Sequence, residues 1–498
     1  MRSLRPGVST SSRPNPAPRV DPPIQAQDGL PTPARYYALV VILLGLTLSV
    51  LDGTIVNLAL PGIARDLQVS ASRTVWVVNA YQVATLGLLL PCATLGDLIG
   101  YRRVYLSGLV LFTLASLACA LSHSFAWLAG ARAVQGLGAA GVMSVNAALL
   151  RLIYPRRMLG RGVAINSLVV ATASVAGPSI AAGILSVASW PWLFVFNVPL
   201  GLVVLWLGGK YLPHNPAPAQ QGVHLSWLDV LMNLLMFALV FFGVDALGSR
   251  AGNHANDTDT ALAAALLVAG LLIGVVYVRR QLKLALPLFP LDLLRIPVFA
   301  LSMCSSIGAF CAQMLAYTAL PFLLLDSYGL SPLEAGALIT FWPIGIMVVA
   351  PIVGRLIGRY PDGLLGGIGM VLMATGLGLL ALLPQHPDSH AIAWRMALCG
   401  IGFGFFQSPN NHTIVTSAPL HRSGGASGML GTARLTGQTL GAVLLSIIFS
   451  FTGGHPGRGP ALALALAACF ALAAATFSSL RVAHRPAAAH DSGSRPAP

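Results

Sequence analysis

Charged side chains are scarce in this sequence. The 498 residues include 29 Lys or Arg and 15 Asp or Glu, so that 9% are charged. Soluble domains carry about 25% charged residues and about 45–50% apolar residues, whereas 56% of this chain is apolar. So few charges cannot cover the surface of a soluble protein. The composition therefore excludes a soluble enzyme, a disordered chain and a nucleic-acid-binding domain, despite a net charge of +14.

Cysteine is also scarce, and none of the six cysteines belongs to a C-x-x-C pair. A disulfide framework or a zinc site requires paired or clustered cysteines. All six lie in apolar stretches, where a free cysteine behaves as a small packing residue. They are Cys92, Cys119, Cys304, Cys311, Cys399 and Cys469. We expect neither a metal nor a cofactor.

Long apolar stretches, in contrast, are abundant. A transmembrane helix needs about 20 predominantly apolar residues to cross about 30 Å of hydrocarbon. The apolar stretches predict an all-α integral membrane protein with fourteen spans and no loop long enough for a separate folded domain. The predicted spans are residues 36–60, 74–95, 103–122, 126–150, 162–187, 192–212, 227–247, 261–279, 298–325, 333–357, 364–383, 391–410, 425–450 and 460–480.

Basic residues are unevenly distributed among the loops of this pattern. Of the 29, 22 lie in the two tails or in loops on the same side as the tails, and two, Arg132 and Arg434, lie within spans. Five lie on the other side: Arg65, Arg73, Arg250, Arg395 and Arg458. Cytoplasmic loops carry the excess of Lys and Arg. We therefore expect both termini in the cytoplasm and the protein in the inner, or cytoplasmic, membrane.

The chain contains a weak internal repeat. Residues 93–103 and 354–363 are both short, Gly- and Arg-containing turns between two long spans, and many transporters are built from such repeats. The repeat predicts two six-helix bundles, at 36–212 and 297–480, with two extra spans in the connecting segment 213–296. The polar segments 1–35 and 481–498 are expected to be disordered cytoplasmic tails.

Asp52 is a carboxylate in an otherwise apolar span. Acidic residues at such a depth generally face a polar interior and are functional, although a hydrogen bond to a neighbouring helix would also explain this one. Arg132 lies about 10 Å below the surface opposite the tails, and Asp52 about 13 Å below the same surface, at 1.5 Å per residue. An acid and an arginine at similar depth predict a proton-binding pair. Extension of Arg132 to the membrane surface is the alternative.

The turn between spans 2 and 3 contains Asp97, Gly100, Arg102 and Arg103. Membrane anchoring alone would explain the arginines. The acid and the glycine favour a gate in which Asp97 meets an Arg or the N-terminus of a helix.

Three further groups are candidates. Gly177 and Pro178 lie in the middle of span 5, where small residues permit close helix packing and Pro introduces a kink. Arg434, about 13 Å from the tail-side surface, could pair with an acid or bind an anionic substrate. The side chains that could line a substrate pocket near span midpoints, or simply pack there, are Gln313, Tyr317, Phe341 and Trp342.

The segments around Asp52, Asp97, Arg132 and Gly177, together with the start of span 6, resemble the major facilitator superfamily. Within it they resemble the fourteen-span drug:proton antiporters of the EmrB/QacA type. The resemblance covers about residues 36–480. It rests on the L-D-x-T-x-x-N-x-A-L-P pattern of span 1, the turn after span 2, the R-x-x-Q-G pattern of span 4, the Gly-Pro segment of span 5 and the W-x-W-x-F-x-x-N-x-P-x-G start of span 6. The matching segments are residues 51–61, 93–103, 128–138, 177–183 and 190–201.

The resemblance implies export by alternating access, driven by proton entry. Asp52 would be the group that binds the proton, Arg132 would tune it, Asp97 would gate the cytoplasmic side, and Gly177-Pro178 would belong to the antiport helix. The expected partners are small lipophilic compounds, protons and the bilayer, without nucleic acid. We expect a monomer, with a periplasmic adaptor if the cell has an outer membrane.

The sequence departs from the family patterns at several positions, which are Ala93, Leu98, Tyr101, Ala173, Ala181, Ala182, Pro191 and Leu325. Two alternatives to drug export stay open. One is a dedicated exporter of a single metabolite or antibiotic, with Arg434 at the site if that substrate is anionic. The other, more remote, is an integral-membrane transferase, for which the sequence offers only His224 and Asp229 in an H-x-x-x-x-D spacing that is expected by chance.

Overall fold

The computed structural model describes residues 29–155, 158–214, 226–251, 257–283, 291–384, 387–418, 423–452 and 457–483. Within these ranges the chain is helical and contains no β-strand, only an isolated bridge between Ile357 and Tyr360. We call the side at which the first long helix begins and the last one ends the termini side, and the opposite side the far side.

The first six long helices form the N-terminal half. They are α1 (Ala34–Ile55), α2 (Trp76–Ile99), α3 (Tyr101–Ala120), α4 (Phe125–Ile153), α5 (Leu159–Leu185) and α6 (Asn197–Tyr211). Shorter helical segments on the far side are Val56–Ala59, Leu60–Asp66, Ala71–Thr74 and Pro191–Val195. Helix α4 packs against α2 and α3, while α1 packs against α5 and α6.

The last six long helices form the C-terminal half. They are α9 (Pro297–Pro321), α10 (Pro332–Leu356), α11 (Asp362–Ala381), α12 (Ser389–Ser417), α13 (Ser423–Thr452) and α14 (Arg458–Ala483). A short helix at Leu291–Arg295 precedes α9, and a π-helical turn at Phe322–Ser327 follows it. The halves meet where α5 packs against α10 and where α2 packs against α13.

The two remaining helices, α7 (Trp227–Ala251) and α8 (Asp257–Gln281), form a hairpin between the halves. Helix α7 packs against both α2 and α13, whereas α8 packs mainly against α7. The inserted pair therefore lies beside one of the two contacts between the halves.

Twelve helical segments in the described part of the chain are long and apolar enough to cross a membrane, rather than the fourteen expected. The two predicted spans outside this set fall on α5 and α12. Only fully described residues belong to this set, which in α5 leaves the apolar stretch Ala176–Leu185. Helix α12, although 29 residues long, contains many polar and small residues that lower its hydropathy.

Large apolar side chains are exposed around the outside of the bundle. Leu114 of α3, Trp206 of α6, Leu272 of α8 and Val348 of α10 are each at least 60% exposed. Soluble monomers rarely leave such extensive apolar surface in water. The exposed surface, like the long apolar helices, is that of a multi-pass membrane protein.

The apolar cores show that the halves are joined on the far side. One large cluster combines far-side residues of the N-terminal half, such as Ile55 and Leu60, with residues of the C-terminal half, such as Leu320 and Leu338. Towards the termini side each half has its own cluster, and a further cluster joins α2, α7 and α13 across the halves. Close packing therefore joins the two halves on the far side in this conformation.

The structure differs from the expected tail boundaries at both ends. The amide of Leu30 donates to the carbonyl of Ile153 at the end of α4, and the Arg35 guanidinium donates to the carbonyl of Leu30. At the other end α14 continues to Ala483, and Arg481 is buried. The rest of both predicted tails, 1–28 and 484–498, lies outside the described residues.

Candidate functional site

Asp52 and Arg132 form an ion pair inside the N-terminal half. Helix α1 carries Asp52 and α4 carries Arg132, and the Nη1 of Arg132 lies 2.5 Å from the Oδ2 of Asp52. The two side chains are 0% and 1% exposed. The sequence predicted that these two residues lie at similar depth, and the structure brings them into contact. Arg132 does not extend to the membrane surface.

Two amides complete the surroundings of the Asp52 carboxylate. Its Oδ1 accepts hydrogen bonds from the Nε2 of Gln135 at 2.9 Å and from the Nδ2 of Asn197 at 2.7 Å. Gln135 lies one turn after Arg132 on α4, and Asn197 begins α6. Three donors from two helices therefore hold one carboxylate of a third helix, so its charge is compensated away from water.

Arg132 is held by further contacts. Its Nε donates to the carbonyl of Val77 at 3.0 Å, and its Nη1 also donates to the Oε1 of Gln135 at 2.6 Å. The guanidinium carbon lies 4.3 Å from the ring centroid of Tyr81 and 5.8 Å from that of Phe194. These cation–π contacts stabilise the charge further. A change at Asp52 would therefore alter contacts of α1, α2, α4 and α6 together.

The predicted gate forms a tight turn between α2 and α3. Gly100 has φ +104°, a conformation that L side chains rarely adopt, so glycine is favoured there. The Oδ1 of Asp97 accepts from the Tyr101 hydroxyl at 2.6 Å, and Tyr101 stands where the family pattern has Arg. Arg102 donates to the carbonyl of Gly209 and contacts the His214 ring, which ties the turn to the end of α6. Arg103 is exposed.

Gly177 and Pro178 lie where α5 approaches two other helices. A Cβ atom at Gly177 would collide with the Thr54 side chain of α1. Pro178 borders a small cavity of about 10 Å³ together with Asn57 of the N-terminal half and Tyr317 of the C-terminal half. The glycine thus permits the close approach of α5 to α1, next to the contact between the halves.

The four predicted pocket residues do not share one surface. The rings of Tyr317 and Trp342 are 5.0 Å apart between centroids, and Gln313 lies one turn before Tyr317 on α9. Trp342 is fully buried and its indole N–H has no hydrogen-bond partner among the described residues, whereas Phe341 is 41% exposed. Phe341 therefore does not line a common pocket with Trp342.

Arg434 lies on α13 at the contact between the halves. It interacts electrostatically with Tyr81 of α2, on which Arg132 also packs. The Nε atom of Arg434 is out of contact with solvent and has no hydrogen-bond partner in the described structure, although the residue as a whole is partly exposed. None of the three ion pairs found among the described residues includes Arg434.

A second buried arginine lies in the C-terminal half, where the sequence predicted a tail. The Nη1 of Arg481 donates to the Oδ1 of Asn410 at 2.7 Å and to the Oγ of Ser302 at 3.0 Å. The Nδ2 of Asn410 in turn donates to the Oγ of Ser306 at 2.6 Å. These polar side chains of α9 and α12 hold the end of α14 inside the bundle, which explains why the helix passes the predicted boundary.

The far side holds a cavity of about 1700 Å³ between the N-terminal half, the α7–α8 hairpin and α13. Trp76 stacks on Phe242 there, with ring centroids 4.3 Å apart, and its Nε1 donates to the Oδ2 of Asp245 at 2.6 Å. These contacts fix the far-side end of the inserted hairpin against α2.

The residues proposed for a transferase are not shown together. His224 lies outside the described residues, and the Oδ1 of Asp229 is 2.5 Å from the Nε of Arg280, in an ion pair between α7 and α8. Among the residues that the structure does describe, no three His, Cys, Asp or Glu side chains are grouped as a metal ion would require.

Two six-helix halves with a polar site inside the bundle define a membrane transporter fold. The sequence model of the Major Facilitator Superfamily matches residues 42–442 and 302–496, and the chain belongs to this family. The fold is also similar to that of a POT family transporter crystallised with a thioalcohol-conjugated peptide. The TM-score is 0.67 at 14% identity, and the alignment covers 90% of this chain and 96% of that one.

Proteins of similar sequence can be aligned with most of this chain. An Escherichia coli K12 protein described as the uncharacterized transporter YebQ is 51% identical over 93% of this chain and 98% of its own length. The riboflavin transporter RibZ of Clostridioides difficile is 29% identical over 84% and 88%. The multidrug resistance protein Stp of Mycobacterium tuberculosis is 31% identical over 81% and 74%.

Proposed function

We propose that this chain exports small lipophilic compounds across the cytoplasmic membrane in exchange for protons, by alternating access. The observation that carries the proposal is the fully buried Asp52–Arg132 pair. Asp52 is the one ionisable acid far from the ends of the candidate spans among the described residues, since every other acid within such a span lies within two residues of its end. Such an intramembrane acid marks a proton pathway.

The geometry suggests how protonation changes the conformation. Arg132, Gln135 and Asn197 all donate to the Asp52 carboxylate. A proton on Asp52 removes the negative charge that these donors share, and Arg132 then becomes a buried cation without an anion. This state is unfavourable unless α1, α4 and α6 rearrange. Proton binding is thereby coupled to packing within the N-terminal half.

The remaining parts of the proposal follow the family resemblance and the far-side contact between the halves. The chain spans the membrane fourteen times, in the manner of the EmrB/QacA type, with both termini in the cytoplasm. The turn of Asp97, Gly100, Arg102 and Arg103 gates the cytoplasmic side, and the close approach of α5 to α1 is part of the moving surface. The protein acts as a monomer, with a periplasmic adaptor where an outer membrane must also be crossed.

The proton gradient supplies sufficient energy for export. Entry of one proton yields about 2.3 kcal/mol per 100 mV of membrane potential and about 1.4 kcal/mol per pH unit. At 100 mV and one pH unit, one proton can therefore sustain a gradient of several hundredfold of a neutral compound.

The test is proton release from acidified everted membrane vesicles on addition of lipophilic cations, neutral compounds and anions. The wild-type protein should release protons with at least one class, and Asp52→Asn should abolish this release at unchanged protein levels. Asp388→Asn, the same substitution at an exposed far-side loop acid, is the matched control and should behave as wild type. Substrate-driven release by Asp52→Asn would refute the proposal.

A dedicated exporter of one metabolite is the second candidate. It is favoured by the similarity to the riboflavin transporter RibZ and by the departure at Leu325 from the drug-exporter pattern. In this case the vesicles would release protons on addition of one compound and its close analogues, but not on addition of structurally unrelated drugs.

A further inference from the structure

Arg434 introduces an uncompensated positive charge between the two halves. It lies eleven residues after the start of α13 at Ser423, or about 16 Å along the helix axis at 1.5 Å per residue. This is about half the thickness of the hydrocarbon core. A charge at this depth generally faces a polar interior and has a partner or a function.

The whole sequence offers no acid to pair with Arg434 at this depth other than Asp52. The other acidic residues lie in loops, in the terminal segments or within two residues of the end of a candidate span. Asp52 is already paired with Arg132 and accepts two amide hydrogen bonds. The interior of the bundle at this depth therefore has two cations and one anion.

The contacts of Arg434 leave its positive charge without a partner among the described residues. Its Nε has no hydrogen-bond partner among the described residues, and part of the residue is exposed. Arg434 and Arg132 both lie near Tyr81, so both arginines contribute positive potential to the same region. In a low-dielectric interior such a potential repels cations and attracts anions.

We propose that Arg434 binds an acidic group of the exported compound, so that the preferred substrates are amphipathic organic anions rather than lipophilic cations. This inference rests on the proposed export function. The planar guanidinium presents paired N–H groups that match a carboxylate, a sulfonate or a phosphate. When a monoanion leaves and a proton enters, the net effect is the inward movement of two positive charges. An inside-negative membrane potential should therefore accelerate export.

The proposal is tested by ligand binding to the purified full-length protein. The probes are matched triplets in which naphthalene, biphenyl or fluorene bears a carboxylate, a hydroxymethyl or an aminomethyl group. Binding is followed as the rise in apparent Tm with concentration. At least one carboxylate should stabilise the wild-type protein more than its neutral and cationic counterparts do, and Arg434→Gln should weaken its binding at least tenfold.

Two variants separate charge recognition from general damage. Arg434→Lys keeps the charge and should retain part of the carboxylate binding. Arg395→Gln removes another arginine whose Nε has no partner among the described residues, on far-side α12, and should bind the carboxylate as wild type does. Stabilisation by only neutral or cationic compounds, carboxylate binding that survives Arg434→Gln, or no binding by any carboxylate would each overturn the proposal.

The same proteins distinguish this proposal from the proton coupling itself. Asp52→Asn should still bind the carboxylate but fail to release protons in vesicles. If carboxylate binding depends on Arg434 while proton release is unaffected by Asp52→Asn, the anion site stands and the coupling proposal fails. If Arg434→Gln instead alters proton release equally for all compound classes and leaves binding unchanged, Arg434 serves Asp52 and the anion site is refuted.

Discussion

The buried ion pair predicts a specific pattern of stability among variants of Asp52 and Arg132. Arg132→Gln removes the positive charge but leaves the Asp52 carboxylate buried, with only Gln135 and Asn197 as donors. Breaking a buried pair by removing one partner generally destabilises a protein by about 3–5 kcal/mol. Because two amides still donate to the carboxylate, we expect a value near the lower end, about 3 kcal/mol.

The double variant Asp52→Asn/Arg132→Gln should be more stable than Arg132→Gln alone. A neutral amide at position 52 can still accept from the two amides that hold the carboxylate, and no unpaired charge is left in the interior. A double-mutant cycle should therefore give a coupling energy of about 2 kcal/mol, within the usual range for residues in contact.

The assay is the fraction of monodisperse protein that remains after heating, measured in one detergent and with one heating protocol because thermal unfolding of such proteins is generally irreversible. Arg132→Gln should lower the apparent Tm by roughly 3–6 °C, and the double variant by less than half of that. Additive losses in the double variant would refute the inference that the two side chains are coupled.

The control cycle uses Asp229→Asn and Arg280→Gln. This pair also has an N–O distance of 2.5 Å, but the Arg280 side chain is 43% exposed. Exposed pairs contribute about 0–1 kcal/mol. A coupling energy at this pair as large as that at Asp52–Arg132 would show that burial is not the cause.

Three further substitutions test other parts of the structure. Gly177→Val should collide with Thr54 and lower the transport rate, and Thr54→Ala should partly restore it in the same vesicle assay. Gly100→Ala places an L side chain at φ +104° and should lower stability by about 1–3 kcal/mol, seen as a lower apparent Tm. Arg481→Gln should destabilise α14 by removing charged hydrogen bonds to Asn410 and Ser302, each of about 1.5–3 kcal/mol, and limited proteolysis should then cleave nearer to the end of that helix.

Much of the helical architecture could be predicted from the sequence because membrane-crossing helices require long apolar stretches. All fourteen predicted spans fall on long helices, although the membrane criterion is met by twelve segments in the described part of the chain. Helix α12 shows why composition falls short. Its polar and small residues, such as Asn410 and Gly402, pack against neighbouring helices, so it is surrounded by protein and does not need an apolar surface.

The Asp52–Arg132 contact could also be predicted, since depth along two helices follows from the rise per residue. Its amide partners could not be assigned with the same argument, because polar contacts between helices depend on how each helix is rotated. Gln135 did carry a signal, as it lies three residues after Arg132 and thus on the same face of α4. Asn197 lies in the span 6 pattern that supports the family resemblance, but depth alone does not direct it to Asp52.

The structure separates Phe341 from Trp342 for a reason that the sequence contained. Adjacent residues of an α-helix point about 100° apart, so both rings cannot line one narrow pocket. The structure buries Trp342 and exposes Phe341 at 41%. The burial of Arg481, in contrast, depends on Ser302 and Asn410, which are distant in sequence. The contacts of an arginine near the end of the last span cannot be deduced from its own segment.

The distribution of charge between the halves makes the two proposals experimentally separable. Among the described residues, Asp52, the acid deep in the bundle, belongs to the N-terminal half. Arg434, a cation near the middle of α13 without an acidic partner there, belongs to the C-terminal half. If the proton binds in one half and the charged group of the substrate in the other, loss of coupling and loss of binding must be distinct defects. Asp52→Asn should abolish proton release with little change in carboxylate binding, and Arg434→Gln should weaken that binding at least tenfold while the Asp52–Arg132 pair stays intact. Identical defects in the two variants would mean that a single site performs both tasks.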